Sequence, residues 1–176
     1  ELLRSLIDSG SIENFDVPDT LKGVIAARVD RLPDAEKRVL QTAAVIGRLF
    51  QRPLLAGILA EDRASITLNP ALTELVRREF LRQRTASELI FKHALTHEVA
   101  YGGLLRSRRR QMHEMAALVT ARLFPDRIEE RSAELGFHYE RAERRERAAA
   151  FLAAAADRAL LTFSNAEAIA FYRAAV

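Results

Sequence analysis

Cysteine is absent from the 176 residues. That excludes a disulfide framework, a thiolate nucleophile and a cysteine-based zinc site, and leaves a reducing compartment permitted. Glycine and proline are scarce, with seven and five, while alanine and arginine are abundant, which favours helices over a sheet-rich fold. Neither sign of charge dominates: 27 basic against 24 acidic residues leave a formal charge of +3, too small a field for a protein that coats nucleic acid. No apolar run reaches the roughly 18 residues of a membrane span, and "FLAAAADRALL" is broken by Asp157 and Arg158. No "GxxxxGK[ST]", "GxGxxG" or "GxSxG" occurs, so the common phosphate cradles and the serine-hydrolase elbow are missing too.

What is present is ordinary globular composition, 49% apolar and 29% charged, enough for one large or two small helical domains. The chain opens on "ELLRSLIDSG" with Leu2, Leu3, Leu6 and Ile7 at helical spacing, and closes inside another helical pattern, "AIAFYRAAV". Both ends are expected to continue into a longer protein. The polar connector "SGSIENFDVP" leads to a helix over 18–31 with Leu21, Val24, Ile25 and Val29 on one side. Pro33 opens the next helix, whose Val39, Leu40, Ala43 and Ile46 make an apolar face and which Gly47 ends. A short helix follows around 53–60. Then "LNPALTELVRREFLRQ" places Asn69 as N-cap and Pro70 in the first turn, with Leu68, Leu72, Leu75 and Val76 on one stripe.

"FLRQR" and "ELIFKH" flank the turn "TAS" and predict a β-hairpin. Three helices followed by a small hairpin is the order of a winged helix. From Ala94 onward the pattern is helical again, broken at Gly102 and Gly103. "RSRRRQMHEMAALVTARLF" puts Met112, Met115, Ala116, Val119 and Leu123 on one stripe, and "RIEERSAELGFHYERA" does the same with Ile128, Ser132, Leu135 and Tyr139. An alanine-rich helix runs to about 162, and Ser164 with Glu167 predicts a capping box for the last one. These final two helices resemble a tetratricopeptide unit, with Leu152, Ala155, Ala156 and Ala159 in its first helix and Ala168, Tyr172 and Ala175 in its second.

The candidate chemistry is sparse. His93 and His97 stand four apart in "FKHALTHEVAY", but Ala94 occupies the place where a metalloprotease motif needs glutamate, and no third ligand is near. The pair is therefore expected to be structural or regulatory. "MHEMA" lacks a second histidine and reads as an amphipathic helix with an exposed His113–Glu114 pair, and His138 reads as a packed or half-exposed helix residue. Arg106, Arg108, Arg109 and Arg110 could meet phosphates or an acidic partner, or simply form a solvated helix start. A winged helix also invites DNA binding through residues 70–82, although Glu74 and Glu79 alternate there with Arg77, Arg78 and Arg82.

Taken together, "VPDTLKGVIAARVDRLPDAEKRVLQTAAVIGRLF" and "FKHALTHEVAYGGLL" resemble the winged-helix region of STAND-class signalling ATPases, especially the bacterial ATPase modules attached to class III adenylate or guanylate cyclases and to transcriptional regulators. The resemblance implies a mainly α protein: residues 1–16 the end of a helical lid and linker, 17–105 a winged helix with one small hairpin, and 106–176 the start of tetratricopeptide-like antiparallel hairpins. It implies a cytoplasmic, non-catalytic relay between a P-loop core, which holds ADP or ATP with Mg in the full-length parent, and repeats that bind a protein or small-molecule effector. His93 falls where an "MHD"-type histidine reaches the phosphates of ADP, with Lys92 and Ala94 as its flanks. Two rival readings stay open at this point, a DNA-binding regulator and a helical protein-interaction scaffold.

Overall fold

The computed structural model describes residues 19–63 and 66–175. The expected first helix and connector, residues 1–16, and the helix-opening Pro18 lie outside the described residues. The chain is mainly helical with one three-stranded antiparallel sheet.

Its first half alternates short helices and strands: α1 (Asp19–Asp30), α2 (Asp34–Ile46), β1 (Leu49–Gln51), α3 (Arg52–Glu61), α4 (Leu68–Arg77), β2 (Leu81–Gln83) and β3 (Glu88–Phe91). β3 lies between the other two, with Phe50 opposite Leu89 and Leu81 opposite Phe91. The expected hairpin is therefore widened by a third strand. Three residues are too few to show the period-2 alternation of a strand, and burial of Phe50 between α2 and the hairpin is what holds β1 in place.

α2 keeps its anticipated face: Val39, Leu40 and Ala43 are fully buried. Gly47 ends it at φ 144°, a conformation only glycine adopts without strain, and its N–H donates to the Ala43 carbonyl. α1 departs from expectation, because Leu21 and Val24 are exposed and only Ile25 and Val29 turn inward. α4 begins at Leu68 rather than after Asn69, with Thr67 at the N-cap position. Leu68 packs on the core, and proline fits anywhere in a first turn, whose N–H groups have no helical acceptor.

The second half is α5 (Ala94–Gly102), α6 (Arg106–Leu123), a 3-10 turn (Pro125–Arg127), α7 (Ser132–Arg141), α8 (Arg145–Leu161) and α9 (Asn165–Ala175). Two cores result. The first gathers large side chains, including Leu40, Phe50, Leu55, Leu72, Leu75, Leu81 and Phe91. The second joins α6, α7 and α8 through Ala117, Leu135, Tyr139, Ala148 and Leu152. α6 serves both, since its Ala116 and Val119 meet Leu54 and Ile58 of α3 while its Ala117 faces α7. Leu123 and Ile128 end the expected stripes in partial exposure.

With so few glycines, several helices end on other residues in the left-handed conformation: Glu79, Glu143 and Phe163 have φ of 64°, 58° and 57°. After each, the next N–H bonds back to the last turn, from Phe80 to Leu75, Arg144 to Tyr139 and Ser164 to Ala159. This is the Schellman pattern built without its usual residue.

Candidate functional site

Two places bring chemistry-bearing side chains together. The first is the junction of β3 and α5. His93 stands at the N-cap position of α5 with extended backbone, φ −130° and ψ 138°, and its ring is exposed and makes no hydrogen bond among the described residues. Beside it, Lys92 is paired with Glu79 at 2.6 Å, which holds the Glu79 carboxyl below its ordinary range, the Lys92 bond being the main cause. His97, one turn on, points the other way. Its Nε2–H donates to the Ala44 carbonyl of α2 at 3.0 Å, and its ring meets Phe91 edge to face. Burial lowers its pKa, outweighing the Ala44 bond and Glu98, which act in the opposite sense. The two histidines of "FKHALTHE" thus divide the work, one facing solvent and one tying α5 to α2.

The second place was not legible in the sequence. From His97 a file of rings runs across the molecule: His97 stacks on Tyr101, and the Tyr101 hydroxyl lies 3.0 Å from His113 Nε2. His113 Nδ1 in turn lies 2.9 Å from His138 Nδ1. Both of these histidines are 1% exposed, so the expected exposed His113 is corrected. His113 follows Met112 on α6, at the edge of the apolar stripe, where α7 closes over it.

Burial is the first cause that pushes both imidazoles well below their ordinary pKa, and His113 is lowered further by His138, Arg141 and Arg109. At neutral pH both rings are uncharged, and an Nδ1 to Nδ1 bond then needs one ring to donate and the other to accept.

The arginine run at the start of α6 is spread over internal partners. Arg106 and Arg110 both reach Glu143, at 2.9 and 3.0 Å. Arg108 pairs with Asp62 at the end of α3, whose side chain is only 8% exposed, and with Gln111. Arg109 donates to the Leu104 carbonyl and lies over the Tyr101 ring. A polar groove of about 350 Å³ lies between α2 and α6, lined by Arg38, Gln41, Asp62, Leu104, Arg108 and Met112. On α4, Glu74 accepts from both Arg77 and Arg78, and these bonds pull its carboxyl down to about 2. Among the described residues no three His, Asp or Glu side chains converge as metal ligands, and no helix is long and apolar enough to cross a membrane.

The α7–α8 contact has a geometric demand of its own. A Cβ on Gly136 would sit 2.8 Å from the Leu152 side chain and 3.2 Å from its backbone nitrogen. Only glycine lets the two helices approach this closely.

Compared with family models, with curated proteins and with solved structures, the chain has no match.

Proposed function

We propose that this chain is a non-catalytic regulatory module, a winged helix followed by tetratricopeptide-like hairpins, which relays the nucleotide state of a P-loop ATPase core in its parent to repeats that bind a protein or small-molecule effector. The observation that carries this reading is His93, exposed at the point where the last strand of the sheet passes into α5. The element order α2, β1, α3, α4, β2, β3, with β3 central, fits a winged helix whose wing is the β2–β3 hairpin.

The helical region fits the repeat pattern one helix earlier than the spacing of α8 and α9 suggested. Leu135, Gly136 and Tyr139 on α7, followed by Ala148 and Leu152 on α8, keep the "L-G-x-x-Y … A-x-x-x" spacing of the tetratricopeptide motif, with leucine in place of its phenylalanine. Close contact at Gly136 supports that register.

In this account ADP or ATP with Mg is held by the core, and this chain contributes one imidazole to the diphosphate. The exposed His93 ring suits a phosphate oxygen as hydrogen-bond partner, while Lys92 stays paired with Glu79. A bond that exists only while ADP is bound favours the closed arrangement in that state alone. The output would be a bacterial cyclase or a transcriptional regulator in the cytoplasm.

The test is the ADP that co-purifies with the full-length parent, compared between wild type and His93→Ala at matched folding. A marked loss is expected, and unchanged ADP would remove the histidine from the account. The DNA-binding rival is weaker, because Glu74 occupies both Arg77 and Arg78 on the helix that would enter the groove. Steeply salt-sensitive binding to a random duplex, measured by fluorescence anisotropy, would restore it.

A further inference from the structure

The His113–His138 pair belongs neither to the proposed nucleotide contact nor to the repeat surface, and it sits where the two cores meet. His113 comes from α6, His138 from α7, and Tyr101 from α5 closes the other side of His113. Aromatic rings wall it in, with Tyr101 and Phe137 both edge-on to His113 and Phe137 also edge-on to His138.

The charges around it are one-sided. Arg109 from α6 and Arg141 from α7 lie over Tyr101 and Phe137. From α2 comes the Ala44 carbonyl, already taken by His97, and Arg38, which lies in the groove beside Asp62. Glu61 and Asp62, at the end of α3, are engaged by Arg122 and Arg108. On α8, Arg147 stays over Tyr139. No carboxylate hydrogen-bonds to either imidazole among the described residues.

We propose that His113 and His138 form a proton-operated latch: neutral, they clamp α7 and the helices after it onto α5 and α6, and protonation of the pair releases them. In one tautomer His113 Nδ1–H donates to His138 Nδ1, and Tyr101 O–H donates to His113 Nε2. A first proton enters at His113 Nε2 and turns the tyrosine hydroxyl from donor to acceptor. In the other tautomer His138 Nδ1–H donates, and the first proton enters at His138 Nε2. In both cases the lone pair inside the Nδ1 to Nδ1 bond is the acceptor left for a second proton. Taking it sets two N–H groups and two positive charges face to face at a separation of 2.9 Å. Arg109 and Arg141 add to that repulsion, and among the described residues no carboxylate hydrogen-bonds to either ring, so the rings part.

The experiment is amide hydrogen exchange of this chain between pH 7.5 and 5, corrected for the intrinsic pH dependence of exchange. Opening linked to uptake of one proton rises roughly tenfold per pH unit. The latch therefore requires α7 amides, residues 132–141, to lose at least tenfold protection on acidification while staying less protected at each pH than α2 amides, residues 34–46, which open only with the whole chain. His138→Gln retains a hydrogen-bonding side chain but cannot take a charge, and it should flatten the response. Protection of α7 that is indifferent to pH, equal protection of α2 and α7 at every pH, or a wild-type response in His138→Gln would each overturn the proposal. Should that variant fail to fold, ring NMR of the wild type decides: imidazoles that titrate well below 6.5 in step with α7 opening support the latch, and titration near 6.5 without opening refutes it.

Discussion

The two cores of this molecule are built from different materials. Around the sheet, Phe50, Phe91, Leu40, Leu55, Leu72 and Leu75 fill the space with large side chains. Around α7 and α8, the large Leu135, Tyr139 and Leu152 share the interior with a majority of small or polar residues: Ala117, Ala148, Ala155, Ala156, Ser132, His113 and His138. A core of large residues gains stability from transferred area and fixes one arrangement. A core of small residues brings helix axes close, leaves less area to stabilise it, and tolerates buried groups whose charge can change. The first is suited to being a fixed platform and the second to moving on it.

Truncation should show the contrast at its largest. Phe91→Ala in the sheet core is expected to cost about 4 kcal/mol, read as a drop in the urea midpoint without a change of slope. Gly136→Ala tests the other core from the opposite direction, by adding volume. With Leu152 already in the way, a loss of about 2 kcal/mol is expected, and a Tm unchanged within error would mean that α7 and α8 are not tightly apposed. Arg108→Ala leaves the enclosed Asp62 carboxylate without its guanidinium and should cost about 2 kcal/mol. Arg106→Ala, whose pair with Glu143 is open to water, should leave the melting temperature unchanged.

Acidification should weaken the small-residue core selectively. His113 and His138 have folded pKa values below the unfolded 6.5. Between those values the unfolded chain binds more protons, so stability is full above pH 6.5 and falls below it. The slope approaches about 1.4 kcal/mol per pH unit for each histidine. Denaturant titrations at pH 7.5 and 5.5 should show this loss in wild type and roughly half of it in His138→Gln.

One substitution should give a small gain. Phe163 is 91% exposed and held at positive φ, so Phe163→Gly should add about 0.5–1 kcal/mol by relieving the left-handed strain.

Much of this architecture was legible in the residues, and the exceptions have physical causes. The stripes of α2 and α4 are plain because each recurs over about two turns and ends in an apolar side chain, Ile46 or Val76, packed on the core. β1 was not, since its three residues are held by tertiary burial of Phe50 rather than by any pattern of their own. His97 was separable from His93 only by the structure: sequence spacing cannot show that one ring finds the Ala44 carbonyl 53 residues away. The His113–His138 bond joins positions 25 apart on different helices, and both lie at the margins of apolar stripes where polar residues are the rule. Similarly, the dense alanine of α8 and α9 signals close helix packing in the sequence, whereas the tight contact of Gly136 on α7 with Leu152 on α8 rests on a single glycine.

The proposed relay requires the sheet-bearing platform to respond to the nucleotide held by a neighbouring core. Its most direct test is the affinity of this chain for the isolated ATPase core of its parent, loaded with ADP or with a non-hydrolysable ATP analogue, measured by calorimetry for wild type and His93→Ala. The claim predicts tighter binding of the ADP-loaded core by roughly tenfold or more, equivalent to about 1.4 kcal/mol, and loss of that preference in the variant. Equal affinity for the two loaded states in the wild type would contradict it.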